Sequence, residues 1–316
     1  MRKLIPFIMV LFFALCLACG DDDGTDSNGE PTLTSVNADT TVGAPPFVSA
    51  NDAVWNQVTP TALNVAKNIG PPAKGAGFAD SLSFQAIKTD SMLYIRVVWN
   101  DADQTLWRDH WSLYDTVNFN WTRNVDGFDE DQLFVMFEGA PGGGWDTWNW
   151  RSLTTGQADR AEGITYDGGA ITLDTGINVI ASENKPDAGT RPPWIHKDMS
   201  AFDGWVLYKE DRISSSNWMQ DPDWDSGMTV PGWYIDTAIS SWTAGPQSRW
   251  DITALYAHSA GEYTVVLARP LTSFGEDLDM STLERVKVKI GVFDNQVSFT
   301  TGGTYRAFTE PFWLVL

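Results

Sequence analysis

The feature that most narrows what this chain can fold into is a period of two in its apolar residues. Leu82, Phe84 and Ala86 alternate with polar neighbours, Thr89-Asp90-Ser91 supply a turn, and Leu93, Ile95, Val97 and Trp99 resume the alternation. Successive side chains on a strand point to opposite faces, so this spacing predicts a hairpin with one buried face. Further runs follow the same rule: Leu133, Val135 and Phe137 after the acidic turn Asp129-Glu130-Asp131; Tyr263, Val265 and Leu267 after Ala260-Gly261; and Val286, Val288, Ile290 and Val292. Phe312-Trp313-Leu314-Val315-Leu316 is expected to be a closing strand buried on both faces. No long segment carries a helical stripe, and short strands parted by Gly, Asp and Asn turns predict an all-β sandwich.

The N-terminal segment is an address rather than part of that sandwich. Arg2 and Lys3 precede an apolar run from Leu4 to Leu17, too short to span a bilayer and followed by Ala18, Cys19 and Gly20, so residues 1–18 are expected to be a signal peptide. Cys19 then resembles the lipidated first residue of a bacterial lipoprotein, with ordinary cleavage and release as the alternative. Residues 19–45 open with Asp21, Asp22, Asp23 and Asp26 among Gly, Ser and Asn, too polar to bury surface, and are expected to be a flexible tether. Residues 46–316 are left as one β domain, held at the cell envelope by the lipid. Cys16 leaves with the signal and Cys19 carries lipid, so the domain has no disulfide, no thiolate metal site, no CxxCH for covalent haem and no thiol catalysis. The formal charge of −20 becomes −22 once Arg2 and Lys3 are gone, which disfavours nucleic acid and anionic lipid headgroups.

Between the second and third runs, Gly139 to Arg249 has no sustained alternation and is expected to be long loops. Fourteen of the sixteen tryptophans fall between Trp99 and Trp250. Indoles on loops at one end of a sandwich make a platform for a flat ligand, while indoles on strands are core.

Several stretches in order resemble the haem-binding domain of ethylbenzene dehydrogenase gamma subunits and related DMSO-reductase-type subunits. They are Leu82 to Trp111, DEDQLFVMFEG from Asp129, WDTWNWRS from Trp145 with Asp146, Trp148, Trp150 and Arg151, VPGWYI from Val230, and SRWDITALYAHSAGEYTVVLARPL from Ser248 with Asp251, Gly261, Arg269 and Leu271. IGVFDN from Ile290 and the final FWLVL complete the series. The resemblance implies a DOMON-like, immunoglobulin-like β-sandwich with long Trp-rich loops. It also implies a b-type haem held without covalent attachment, and electron transfer with a molybdenum oxidoreductase or respiratory-chain component.

The family's axial ligands are a methionine before the Asp-x-Trp-x-Trp signature and a lysine before the last strand. Here the first position reads GAPGGG from Gly139, and Arg306 stands nearest the second; a guanidinium that stays protonated is a poor iron ligand. The remaining candidates for a haem site are His196 and Met199 in WIHKDM, Met136, His110, and Trp148, Trp150 and Arg151, the last either meeting a propionate or pairing with a carboxylate. His258 is expected to be solvated, and the acidic turns at 101–103, 126–131 and 221–225 are read as solvated turns before calcium sites. No GxSxG, HExxH or phosphate-loop motif is present, so any catalysis would belong to a partner. Two alternatives stand beside haem: a haem-free β-sandwich lipoprotein whose Trp-rich loops bind carbohydrate or another small ligand, and a structural lipoprotein.

Overall fold

The computed structural model describes residues 33–69, 80–102, 104, 106, 109–124, 130–167, 170–176, 181–186, 190–199, 202, 204, 206–214, 225–235, 248–294 and 305–316. The signal segment, Cys19 and the tether to residue 32 lie outside them, as do 125–129 and 221–224 of the acidic turns. Residues Thr34–Leu316 form one compact unit.

The first strands are β1 (Ser35–Asn37), β2 (Thr61–Ile69), β3 (Ser81–Lys88), β4 (Met92–Asn100), β5 (His110–Asp115) and β6 (Asn120–Asn124). They are followed by β7 (Gln132–Glu138), β8 (Trp145–Arg151), β9 (Arg160–Asp167), β10 (Ala170–Leu173), β11 (Ala181–Glu183) and β12 (Trp194–His196). Next come β13 (Leu207–Tyr208), β14 (Arg212–Ser214), β15 (Thr229–Pro231) and β16 (Trp233–Ile235). The chain ends in β17 (Ile252–Ser259), β18 (Glu262–Pro270), β19 (Arg285–Asp294), β20 (Tyr305–Thr309) and β21 (Phe312–Val315). Among the described residues the helical elements are short 3-10 turns, the longest being Ala53–Gln57. The all-β expectation holds.

Ten strands form a closed circuit in the order β19-β20-β2-β3-β4-β18-β17-β9-β8-β7, with β7 returning to pair antiparallel with β19 from Val288↔Phe137 to Phe293↔Gln132. The alternation read from the sequence sets which face points inward. Phe84, Ile95, Val97, Trp99, Leu133, Val135, Phe137, Val265, Leu267, Val288, Ile290 and Val292 all enter one core. The β17–β18 hairpin turns on Ala260 and Gly261 with φ of 54° and 75°, the left-handed pair that a tight two-residue hairpin requires.

Three small sheets supplement the circuit: β15-β5-β6, β11-β16-β13 and β12-β14.

Three expectations need correction. The stretch from Gly139 to Arg249 is not all loop, because it supplies two circuit strands, β8 and β9, besides the short strands β10 to β16. The ordered body begins inside the segment read as tether, since β1 pairs in parallel with β21, Ser35 opposite Trp313. The closing strand is not buried on both faces: Phe312 and Leu314 point inward while Trp313 and Val315 stay half-buried.

Candidate functional site

Trp148 and Trp150 lie on β8 at a spacing of two, with Asp146, so all three point into the circuit. Both indoles are wholly buried. Trp150 packs edge-on against Trp99 at 6.3 Å and against Tyr263 at 5.7 Å, and Trp148 lies 4.8 Å from Phe137. Gly156 sits so close that an added Cβ would stand 2.7 Å from the Trp150 Nε1. The rings that were to line a haem cleft instead fill the core.

The other haem candidates are dispersed. Met136 is buried on the opposite face of the sheet, clustered with Phe134 and Phe293. Met199 is buried in a separate apolar group with Trp111, Leu113, Trp121, Ile195 and Val230. His196 accepts a hydrogen bond at Nδ1 from the Asp198 N–H, places Nε2 3.8 Å from Asp211, and stacks on Phe202 at 4.7 Å. Arg151 pairs with Glu162 at 3.7 Å, the structural alternative to a propionate contact. Arg306 lies in β20 opposite Phe293 and Asn68. A macrocycle needs one water-excluded slot with ligands facing its two sides. These residues do not fit that group, and the haem reading, with its His196 and Met199 iron ligands, is corrected.

The signature residues have a structural task that the sequence did not reveal. Asp146 receives Arg269 through Nη1 at 3.1 Å and Nη2 at 2.8 Å, and also accepts the Leu278 N–H at 2.7 Å. The fully buried Arg269 pairs with Asp277 at 3.1 Å and lies 5.1 Å from the Trp148 ring. Burial opposes its charge, but Asp146, Asp277 and Asp251 outweigh that and hold the guanidinium above its ordinary range. Two of the surrounding acids are raised as well, toward their neutral form. Asp251 rises to about 7, through burial and then the carboxylates of Asp277 and Asp146, against the lowering pull of Arg269 and Ser273. Asp174 rises to about 7 through burial, Asp277, Asp146 and Glu276, with Arg269 pulling it down.

A second carboxylate group forms where three strands end. One oxygen each from Asp101, Asp131 and Asp294 lie within 4.8 Å of one another, and the first two side chains are buried. The Tyr263 hydroxyl donates to Asp131 at 2.7 Å, and His258 Nε2 lies 3.0 Å from the Asp101 carbonyl. Asp101 and Asp131 are therefore not solvated turn residues, and His258 is half-buried and bonded rather than free in solvent. Oxygen donors of this kind suit a hard divalent cation, but three acids alone do not assign one.

The small sheets carry part of the accessible aromatic surface. Its organiser is Asn184, wholly buried, whose Nδ2 donates to the carbonyls of Trp194 at 2.8 Å and Pro231 at 3.0 Å while Oδ1 accepts the Trp194 N–H at 2.9 Å. Its carbonyl accepts from the Trp111 indole at 2.7 Å. One residue thus ties together β12 and β15 through its side chain and β5 through its main-chain carbonyl. The result sets Trp194 and Tyr234 as a half-buried corner, ring centroids 6.5 Å apart and planes 74° apart. The Arg212 guanidinium lies in it, 4.4 Å from the Trp194 ring and 4.0 Å from the Tyr234 ring. Of the loop tryptophans, Trp111, Trp121 and Trp250 are buried, Trp145, Trp194 and Trp233 are half-buried, and Trp107, Trp205, Trp218, Trp224 and Trp242 lie outside the described residues.

No protein-family model matches the chain, and no curated protein matches it. Among solved structures it is similar, at 10% identity and a TM-score of 0.35, to a carbohydrate binding module family 9 from Caldicellulosiruptor kristjanssonii in complex with glucose, covering 86% of this chain and 85% of that one. The same module in complex with cellotriose gives 10% identity and a TM-score of 0.35 over 89% of this chain and 94% of that one. A Bacteroides uniformis protein assigned a carbohydrate-binding role gives 8% identity and a TM-score of 0.39 over 90% and 99%. These similarities are too distant to carry the functional argument, which rests on the chain's own geometry. The resemblance to a haem-binding DOMON-like domain is corrected on other grounds: no family model supports it, and the barrel interior is occupied by side chains.

Proposed function

We propose that the chain is an exported, lipid-anchored binding protein, a β-sandwich-type scaffold that takes carbohydrate at an aromatic surface and catalyses no reaction itself. The observation that carries this reading is the Trp194–Tyr234 corner. Two aromatic rings stay half-exposed on the outer layer although the molecule has a large apolar interior available. A pyranose ring presents apolar C–H faces and a rim of hydroxyls, which matches an aromatic plane bordered by polar groups. Arg212, lying within the corner, supplies such a polar group. Cell-envelope placement through Cys19 would put it where polysaccharide is met.

Affinity electrophoresis of the purified chain through gels containing soluble polysaccharides, neutral and acidic, tests the reading. Retardation by at least one polymer, lost in Trp194→Ala and Tyr234→Ala proteins that keep the wild-type urea midpoint, is expected. Unretarded migration in every gel, or retardation that the two variants leave intact, would overturn it.

A further inference from the structure

We infer that the saccharide recognised at the Trp194–Tyr234 corner carries a carboxylate, as a uronic acid does, and that Arg212 is the group that selects it. This rests on the carbohydrate reading and narrows its ligand class.

Arg212 is held by a hydrogen bond and by aromatic contact. Its Nε donates to the Lys209 carbonyl at 3.2 Å, which fixes the near side of the fork. Its Cζ stands 4.4 Å and 4.0 Å from the centroids of two rings whose planes are 74° apart, so aromatic carbon restrains the group from two directions. Aromatic contact of this kind orients a guanidinium without neutralising it.

The acid next to it in sequence, Asp211, is already committed. Lys197 Nζ bonds its Oδ1, and His196 Nε2 stands 3.8 Å from its Oδ2. The Lys197 hydrogen bond and then the Lys197 and His196 charges hold that carboxyl below the usual carboxylate range. Among the described residues no carboxylate pairs with Arg212, in a chain with 41 acidic and only 21 basic side chains. By contrast, Arg123, Arg151, Arg249 and Arg269 each have a carboxylate partner. An arginine oriented by two rings and passed over by its neighbouring acid is set for an external anion, and two parallel N–H donors match a carboxylate.

The overall charge makes this specific. A net charge of −20 repels polyanions, so an acidic polymer is not retained by general ion exchange. At physiological salt the screening length is about 8 Å, which confines that repulsion and lets a short-range contact decide.

The test uses the purified full chain and paired probes: oligogalacturonate with its methyl ester, and alginate and hyaluronan with neutral mannan and xylan. Gel retardation ranks the polymers, and isothermal titration calorimetry at 0.15 M NaCl measures the best acid against its ester. Expected is binding to an acid at least tenfold tighter than to its neutral counterpart. The ratio should collapse toward one in Arg212→Gln and be partly kept in Arg212→Lys, with unchanged urea midpoints. Neutral glycans binding as well as acids through Trp194, or an unchanged ratio in Arg212→Gln, would sink this inference and leave the carbohydrate reading standing. Binding of no glycan at all would sink both.

Discussion

Replacing Arg269 with methionine removes the cation that pairs with Asp146 and Asp277 in the buried nest they form with Asp251 and Asp174. Methionine keeps most of the volume, so the loss is electrostatic rather than a cavity. The Asp146 and Asp277 side chains are 1% and 0% exposed, and neither can turn to water. Breaking a buried pair by removing one partner costs about 3–5 kcal/mol, and the Leu278 carbonyl, which also accepts from Arg269 at 3.2 Å, loses a donor worth about 1 kcal/mol. Near-neutral pH should therefore show a loss of roughly 4–6 kcal/mol. The loss should shrink on acidification. Asp174, Asp251 and Asp277 have folded-state values above their unfolded ones and lose the lowering pull of the guanidinium, so between about pH 4 and 7 the native state keeps protons that the unfolded chain releases, and stability rises as pH falls. At pH 5 the deficit relative to wild type should be about half that at pH 7.5. Urea unfolding followed by tryptophan emission measures both, and Arg269→Lys, which keeps charge but not the fork, should fall between. A deficit under about 1 kcal/mol at pH 7.5, or one that is equal at the two pH values, would refute the account of a charge-balanced nest.

The wild-type protein should itself be more stable at pH 5.5 than at pH 8, because Asp174 and Asp251 are raised to about 7; Asp251→Asn should flatten that slope in the same urea assay. Ala260 holds a φ of 54° in the β17–β18 turn, so Ala260→Gly or Ala260→Asn should raise the unfolding free energy by about 0.5–1 kcal/mol, and a lower midpoint would contradict the strained-turn reading. Trp150→Ala empties the centre of the aromatic core and should cost about 3–5 kcal/mol in a thermal or urea melt, while a loss below 1 kcal/mol would mean the ring is not the packing element described. Asn184→Ala strands two carbonyls and one N–H between the small sheets; expected is faster hydrogen exchange at the Trp194 amide and loss of glycan retardation, with protection in β3 and β4 unchanged.

How much of this was legible in the sequence follows from range. The hairpin of Leu82 to Trp99 appears as β3 and β4, and the other alternating runs fall within β7, β18 and β19, since each strand's inward face is written locally. The same rule could have placed Trp148 and Trp150: with Asp146 they repeat at every second residue, a strand signature that the loop reading of Gly139 to Arg249 passed over. Arg269 was visible as a fixed point of the resemblance, but not its pairing across 123 residues with Asp146, which joins β18 to β8. Closure of β7 onto β19 likewise leaves no local trace. Strands of two or three residues, such as β12, β13 and β16, are too short to show any period, so the Trp194–Tyr234–Arg212 corner emerges only once Asn184 gathers its segments.

The ring formed by β7 and β19 has a consequence for how the protein comes into being. Its seams join distant parts of the chain, Phe137 to Val288 and Val65 to Thr309, and outside the ring Ser35 meets Trp313. Chains dominated by such remote pairings reach the native state slowly, because loop entropy is lost before the rewarding contacts form. Until β19 to β21 emerge from the ribosome, β7 presents a bare edge rich in Phe and Val, an invitation to intermolecular pairing. A nascent chain stalled before residue 285 should therefore depend on a holding chaperone, and the finished molecule should not.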